Sequence, residues 1–157
     1  MTKAELRPLD ADTVPALRDL AIAQAVPNEV MPPVDGPGED WTAERIAAFT
    51  DFQHARLAEP DHLSYVITVD GAPAGVVRLD RDGETGRQIG YWVARSHRRK
   101  GLATEAVRLV LIEAKALGAT TVTAETTTGN HGSRAALARN GAELSVDGDD
   151  IRAVFPL

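Results

Sequence analysis

Alternating apolar and polar residues in the middle of the chain predict an antiparallel β-meander. Residues 63–69 alternate in this way and lead into the turn pair Asp70-Gly71, after which a second strand is predicted over 74–79. A further turn leads to a third strand over 89–94. These three strands are expected to form the middle of one sheet.

Apolar residues at helical spacing predict four helices. The predicted helices begin near Thr13, span about 42–58, span 102–117 and span 131–140. Asn130 is suitably positioned to cap the last of them, and Gly118 and Gly141 follow the last two as left-handed C-caps. The apolar faces expected to be buried include Leu57 in the second helix and Leu117 in the third.

The order of the elements predicts the topology. A strand over 120–125 follows the third helix, so the strands before and after that helix are expected to be parallel neighbours. Residues 143–146 and 151–155 form a final hairpin, and residues 4–9 an edge strand. We therefore expect one α/β (α+β) domain over residues 1–157, with a mixed, mostly antiparallel sheet of six to seven strands flanked by about four helices.

The longest stretch without a predicted element is VPNEVMPPVDGPGED, residues 26–40. Its four prolines and two glycines predict that it forms no regular helix or strand. Loops of this length often cover functional sites, and a plain surface loop is the alternative.

Composition excludes several classes of function. The 157 residues contain no cysteine, which excludes disulfides, thiolate catalysis and cysteine-ligated zinc. The four histidines do not have the spacing of a metal site, so no metal is expected. No segment has the pattern of a signal peptide or a membrane span, so we expect a cytoplasmic protein with no membrane partner. The net charge of −6 argues against a nucleic-acid partner.

The segment RSHRRK at 95–100 is a basic exception in an acidic chain. It joins the strand over 89–94 to a predicted helix, and Gly101 stands where that helix begins. Unpaired amides and the helix dipole stabilise an anion at such a position, and glycine lets a phosphate approach the backbone. The turn is therefore predicted to bind phosphate, partly through arginine side chains. The alternative is a simple connection with solvated charges.

Two motifs in order resemble the GNAT family of acyl-CoA N-acyltransferases. The segment Arg98-Arg99-Lys100-Gly101-Leu102-Ala103 is similar to the family signature Q/R-x-x-G-x-G/A. The family's N-x-x-S/A helix and its terminal glycine correspond to Asn130, Ser133, Leu137 and Gly141. The strand reads I-G-Y-W at 89–92, as in the ribosomal-protein N-terminal acetyltransferase (RimJ/RimL-like) subgroup. The resemblance covers residues 63–144 well and the N-terminal part loosely.

The resemblance implies an N-acetyltransferase that moves an acetyl group from acetyl-CoA to a primary amine, either a protein N-terminus or a small molecule. Direct transfer in a ternary complex is expected, by a monomer or a homodimer. In the family the glycine turn holds the CoA pyrophosphate and the preceding strand pairs with the pantetheine arm. The implied cofactor-binding residues are Trp92, Val93, Ala94, Arg98, Arg99, Lys100, Gly101, Leu102, Ala103, Thr104, Asn130 and Ser133.

Two positions depart from the family pattern. Leu137 occupies the position at which many members carry a tyrosine that protonates the CoA thiolate, so this role is expected to pass to Ser133 or to water. Gln88 stands where the subgroup often has a carboxylate, which leaves Glu84, Glu125 or water as the base. The catalytic residues that we predict are Ser133 and Glu84.

Alternative readings remain open from the sequence. A non-catalytic acyl-CoA-binding regulatory module would keep the phosphate turn and lose the acid and the base, and a nucleotide-phosphate protein is disfavoured because the turn lacks the spacing of a P-loop. One residue of the pair Tyr91-Trp92 must face the core while the other lines the site. The loop over residues 26–40 carries four acidic residues, Glu29, Asp35, Glu39 and Asp40. They are expected to form an acidic mouth that attracts a cationic acceptor, and a plain solvated loop is the alternative.

Overall fold

A computed structural model describes residues 3–34, 36 and 38–157 of the chain. Its strands are β1 (Ala4–Pro8), β2 (His62–Val69), β3 (Ala72–Asp82), β4 (Gly86–Val93), β5 (Thr121–Thr127), β6 (Glu143–Asp147) and β7 (Asp150–Pro156). Its α-helices are α1 (Val14–Gln24), α2 (Pro27–Val30), α3 (Ala43–Leu57), α4 (Leu102–Ala116) and α5 (His131–Arg139).

The seven strands form one sheet in the order β1-β2-β3-β4-β5-β7-β6. All neighbouring strands are antiparallel except β4 and β5, which α4 connects as a parallel pair. The predicted mixed, mostly antiparallel sheet and its crossover are therefore confirmed.

Strands β4 and β5 separate partway along their length. Their pairing runs from Gly86 opposite Thr121 to Ile89 opposite Ala124. Beyond this point β4 continues to Val93 while it pairs with β3, and β5 continues to Thr127 while it pairs with β7. The facing edges of β4 and β5 are thus left without a partner strand, and a gap opens in the middle of the sheet.

Each face of the sheet has its own hydrophobic core. The face covered by α4 and α5 buries Leu79, Ile89 and Val93 together with Val107 and Leu137. The opposite face is covered by α1, α2 and α3, and its core is formed by Leu17, Phe49, Val66, Val76 and Trp92. Because side chains alternate along a strand, this division fixes the face of each residue in β4, in β5 and in β3 from Val76 onward, beyond the register shift between β2 and β3.

The N-terminal half differs from the expectation in one element. Residues 26–40 were expected to form no regular structure, yet α2 lies within them and brings the number of helices to five. Pro27 occupies the first turn, where its missing N–H is no loss, and the Val26 amide donates to Glu29 Oε1 at 2.9 Å. A local cap therefore permits one helical turn in a segment rich in helix breakers.

Two leucines that were expected on buried helix faces are exposed. The exposed fraction is 39% for Leu57 and 49% for Leu117. Both residues lie at the C-terminal ends of their helices, where the helix leaves the sheet that buries its middle.

Candidate active site

The basic turn after β4 has the backbone of an anion site. Arg99 and Gly101 both have left-handed backbone conformations, with φ of 60° and 80°, and α4 begins at the next residue. Left-handed residues in a tight turn direct neighbouring amides into a shared concave surface. The amides of the first turn of α4 add further unpaired donors and the positive end of the helix dipole. The Arg98 amide already donates to the Arg95 carbonyl at 3.3 Å, so the backbone donors that the predicted segment 98–104 offers an anion come from the residues after Arg98.

The cationic side chains of this turn have different environments. Arg98 donates from Nε to the Val93 carbonyl at 2.9 Å, and its Nη2 lies 3.0 Å from Glu29 Oε2 of α2. Arg99 and Lys100 are exposed. Arg98 is thus engaged with the protein, whereas Arg99 and Lys100 are the cations available to a phosphate.

The N-terminal helices α1 and α2 also contact the basic turn. The Ser96 amide donates to Gln24 Oε1 at 2.9 Å, so the last residue of α1 contacts the short 3₁₀-helix Arg95–His97. Together with the Arg98–Glu29 ion pair, this contact connects the turn to α1 and α2. Glu29 is consequently paired rather than part of an open acidic mouth; Asp35 lies outside the described residues, and Glu39 and Asp40 are exposed.

The residues of β4 that lead to the turn are buried. Trp92 packs into the α1–α3 core, Val93 belongs to the core on the α4 face, and Ala94 is fully buried. Any contact that Val93 and Ala94 make with a ligand in the gap would therefore come from their backbone. Leu102 is also buried, while Ala103 and Thr104 are half-buried in the first turn of α4.

A pair of hydroxyl groups lies beside the gap. Tyr91 Oη of β4 and Ser133 Oγ of α5 are 2.7 Å apart, and either hydroxyl can donate the hydrogen bond. Burial raises the pKa of the Tyr91 hydroxyl above its ordinary value, while the hydrogen bond to Ser133 lowers it to a smaller extent. Tyr91 therefore remains a neutral proton donor near pH 7.

Asn130 fixes the position of Ser133. Its Oδ1 accepts a hydrogen bond from the Ser133 amide at 3.1 Å, so Asn130 is the N-cap of α5, as predicted. From the sequence, Tyr91 was predicted only as one of two residues that could line the site. Its contact with Ser133 joins residues 42 positions apart in the chain, and no local pattern indicates such a contact.

The candidate bases lie at different distances from this pair. Glu84 is in the turn before β4, and the extended strand from Gly86 to Tyr91 separates it from the hydroxyl pair by roughly 16 Å. The structure therefore does not bring Glu84 to Ser133. Glu125 follows Ala124, the last residue of β5 that pairs with β4, and is exposed beside the gap. Gln88 lies within the paired part of β4, opposite Thr123.

Leu137 is fully buried in the core under α5. A tyrosine at this position would have to displace core side chains before its hydroxyl reached the gap. Leu137 is therefore a core residue in this chain, whereas the phenol hydroxyl of Tyr91 on β4 lies next to Ser133.

The described residues contain neither a metal-ligand cluster nor a membrane-spanning helix. No group of three or more histidine, cysteine, aspartate or glutamate side chains there is arranged to hold a metal ion. In the same part of the chain, no helix is long and apolar enough to cross a membrane.

Comparisons with known structures agree with this architecture. The structure resembles Mycobacterium smegmatis RimJ in complex with CoA-disulfide, with a TM-score of 0.79, 24% identity, and coverage of 98% of this chain and 81% of that chain. It also resembles the Salmonella typhimurium acetyl transferase that modifies the N-terminal serine of the 50S ribosomal subunit protein L7/L12, with a TM-score of 0.74, 18% identity, and coverage of 100% and 96%.

A third structure, a probable acetyltransferase of the GNAT family from Chromobacterium violaceum, is 27% identical with a TM-score of 0.71, and the match covers 98% of this chain and 82% of that chain. No curated protein matches the sequence. The family model described as acetyltransferase (GNAT) domain matches residues 3–143. This match covers most of the chain, and the chain therefore belongs to the GNAT family of acetyltransferases, which use acetyl-CoA as the acetyl donor.

Proposed function

We propose that the protein transfers the acetyl group of acetyl-CoA directly to a primary amine, in a ternary complex and without an acyl-enzyme intermediate. The observation that carries the proposal is the Tyr91–Ser133 hydroxyl pair beside the gap between β4 and β5. The phosphate turn follows β4 directly, so a CoA molecule held there would extend its thioester along the open strand edge toward these hydroxyls. The absence of cysteine from the sequence supports direct transfer.

The proposed chemistry uses the two faces of the sheet. The neutral amine attacks the thioester carbonyl carbon, the new C–N bond forms, and the C–S bond of the tetrahedral intermediate breaks. The departing thiolate takes a proton from Ser133 Oγ, which takes one from Tyr91 Oη; solvent later reprotonates Tyr91. The excess proton of the amine passes to water or to Glu125. Positioning of the two reactants supplies a large part of the rate.

Glu125 is a better candidate base than Glu84. The neighbours Val122 and Ala124 face α4, so Glu125 points to the opposite face, away from Ser133. A base on that face and an acid on the other can act on opposite sides of the same carbonyl carbon. Glu84 lacks this arrangement because it lies at the far end of β4.

The acceptor is a protein N-terminus or a small-molecule amine. Two similar structures have been described as ribosomal-protein acetyltransferases, which favours an N-terminal α-amine as the first acceptor to test. A cytoplasmic location follows from this proposal, since both acetyl-CoA and such acceptors are present there. The protein would act as a monomer or a homodimer.

The test is a steady-state assay of CoA thiol release with a panel of amines and peptide N-termini. We expect release that depends on the amine, with initial-rate lines that intersect. Parallel lines would contradict a ternary complex. Binding of acetyl-CoA by calorimetry without any amine-dependent release would instead identify a non-catalytic acyl-CoA-binding module.

A further inference from the structure

Arg78 lies on the sheet face opposite the hydroxyl pair, at the point where β4 and β5 separate. Arg78 of β3 is paired with Gly90 of β4, and the next pair along, Leu79 and Ile89, is buried against α4. Arg78 and Gly90 therefore face the other side. Ile89 is also the last residue of β4 that pairs with β5, so Gly90 is the first residue at the gap.

The guanidinium of Arg78 occupies the space that a side chain at position 90 would need. A Cβ atom at Gly90 would clash with Arg78 Nη2. The guanidinium consequently lies against the backbone of Gly90, beside the gap. Its position depends on the missing side chain of glycine.

Arg78 makes one long ion pair but no hydrogen bond within the described part of the protein. No hydrogen bond from Arg78 to a described residue is present, and its nearest carboxylate atom, Asp80 Oδ2, is 4.0 Å away. Asp80 is itself held by Arg56, which is 6% exposed and also donates to Ser64 Oγ at 2.6 Å. The side chain of Arg78 is 40% exposed, so a ligand can reach it.

Partial burial makes these free donors favourable for an anion. Burial lowers the pKa of Arg78 from its ordinary value; Asp80 opposes this shift and Arg56 adds to it. Arginine nevertheless stays charged in proteins, and its planar fork binds a carboxylate through two parallel hydrogen bonds. An anion placed here would satisfy donors that have already lost part of their water.

We propose that Arg78 binds a carboxylate carried by the acceptor amine. This inference rests on the proposed function and narrows its substrate class: the acceptor has its reactive amine and a carboxylate within a few ångströms of each other. A free α-amino acid has this arrangement on adjacent atoms. A peptide has it when an acidic side chain follows the N-terminus.

The surroundings of the gap fit such a zwitterion. With the carboxylate on Arg78, the amine lies over the gap, and the exposed carboxylate of Glu125 stands on the next strand. A cavity of about 400 Å³ opens beside Glu125, and its lining includes Asp147, Asp150 and Arg152, the residue opposite Glu125 on β7. The amine is therefore placed beside the carboxylate of Glu125 when its own carboxylate is bound by Arg78.

The test uses matched pairs of acceptors that differ only in the carboxylate. One set consists of free α-amino acids and their carboxamides, and the other of short peptides with Asp or Asn as the second residue. The measured quantity is kcat/KM from thiol release. We expect the native protein to prefer the carboxylate member of at least one pair by about 10- to 100-fold, the range for hydrogen bonds to a charged group. Removing the carboxylate lowers the pKa of the amine, so a larger fraction of the amide acceptor is neutral and nucleophilic. This effect favours the amide, so a preference for the acid cannot come from the basicity of the amine.

Two substitutions should remove the preference by different routes. Arg78→Gln removes the charge, and Gly90→Ala keeps it but displaces the guanidinium with the new Cβ atom. In both variants the carboxylate acceptor should lose its advantage. In Arg78→Gln, kcat/KM for the neutral partner changes less than about twofold, whereas Gly90→Ala, which alters the strand edge at the gap, is judged by the ratio of kcat/KM between the acid and its amide. Arg81→Gln is the matched control, because Arg81 is an exposed arginine of the same strand that pairs with Asp61. Thermal unfolding and acetyl-CoA affinity establish that each variant is folded.

The outcomes separate this inference from the proposed function. Equal kcat/KM for both members of every pair in the native protein would overturn the role of Arg78 and leave acetyl transfer intact. An equal loss of kcat/KM for acid and amide in Arg78→Gln would do the same. Acetyl-CoA binding without acetylation of any amine would overturn the proposed function and this inference together. The pair that shows the preference identifies a free amino acid or a peptide as the source of the carboxylate.

Discussion

Tyr91 Oη and Ser133 Oγ lie 2.7 Å apart, although one residue belongs to β4 and the other to α5. If the two hydroxyls act as one proton-donating unit, Ser133→Ala should lower kcat by about 10- to 100-fold, the effect of losing a single general acid. Tyr91→Phe should produce a smaller loss, because solvent can reprotonate Ser133. Acetyl-CoA affinity, measured by calorimetry, should change little in either variant.

The double variant distinguishes a unit from two separate contributions. Residues that act as a unit are non-additive, so Tyr91→Phe combined with Ser133→Ala should be no slower than Ser133→Ala alone. Losses that multiply would show that the two hydroxyls act separately. An unchanged kcat in Ser133→Ala would mean that water protonates the thiolate.

Tyr91 should also affect stability at high pH. Burial raises its pKa in the folded protein above the value of about 10 in the unfolded chain, so the folded state holds the proton more tightly. This contribution is fully present below about pH 10 and is lost as the pH rises through the folded pKa. Tyr91→Phe should be about 0.5–1.5 kcal/mol less stable than the native protein at pH 8, because a hydrogen bond is lost. The difference should narrow at pH 11.

Urea unfolding at the two pH values measures this effect. Burial also raises the pKa of Tyr65, so the native protein loses stability above pH 10 from both residues. Tyr65→Phe is therefore the control: it should reduce the alkaline loss without affecting kcat. A stability difference between the native protein and Tyr91→Phe that stays constant from pH 8 to pH 11 would contradict the assignment.

The sheet could be predicted from the sequence because its signals are local. The alternation of apolar and polar residues indicates β2, and the pair Asp70-Gly71 indicates the turn that follows it. Gly118 indicates the end of α4 and has a left-handed φ of 87°. The turn before α4 could also be located from adjacent residues, since the helix begins directly after Gly101, which has φ of 80°; phosphate binding by this turn stays a prediction. In each case a few adjacent residues determine the conformation.

The site beyond the turn could not be predicted because its contacts are not local. Tyr91 meets Ser133, and Arg98 meets Glu29, only after the sheet and its helices have packed. Glu84 lies only seven positions before Tyr91 in the sequence. It is nevertheless distant from Tyr91 in space, because the extended strand β4 separates the turn that contains Glu84 from the hydroxyl pair. Sequence motifs identify the elements of this site, whereas its polar pairs depend on the tertiary structure.

The conformation of Gly101 leads to a prediction with an unusually close control. Gly101 has φ of 80° and Gly118 has φ of 87°, and a Cβ atom at either position would meet no atom within 4 Å. Replacing either glycine with valine should therefore cost similar stability, about 1–2 kcal/mol or somewhat more, from the left-handed conformation alone. The two glycines stand at opposite ends of α4.

Only one of these substitutions should affect the cofactor. Gly101→Val places a branched side chain where the phosphates approach, so the Kd for acetyl-CoA should rise at least about tenfold, a change of 1.4 kcal/mol. Gly118→Val should leave this Kd unchanged. Calorimetry on the two folded variants makes the comparison, and equal Kd values would mean that the phosphate site lies elsewhere.

Arg98 is predicted to hold the turn in place rather than to bind phosphate. Its Nε donates to the Val93 carbonyl and its Nη2 pairs with Glu29, so Arg98→Ala should weaken acetyl-CoA binding by roughly three- to tenfold through loss of the turn's geometry, which corresponds to about one hydrogen bond. Glu29→Gln should have a smaller effect, because an exposed ion pair contributes little and the bond to Val93 remains.

The salt dependence of binding separates positioning from direct phosphate contact. A side chain that touches phosphate contributes an attraction that salt screens, so its removal flattens the dependence of Kd on ionic strength. We expect this flattening for the exposed Arg99 and Lys100 when each is replaced by glutamine. Arg98→Ala should instead raise Kd by a similar factor at low and at high salt, and Arg95→Ala, on the exposed 3₁₀-helix, serves as the control. If Arg98→Ala flattens the salt dependence as much as Lys100→Gln does, Arg98 must release Glu29 and bind the phosphate when acetyl-CoA is present.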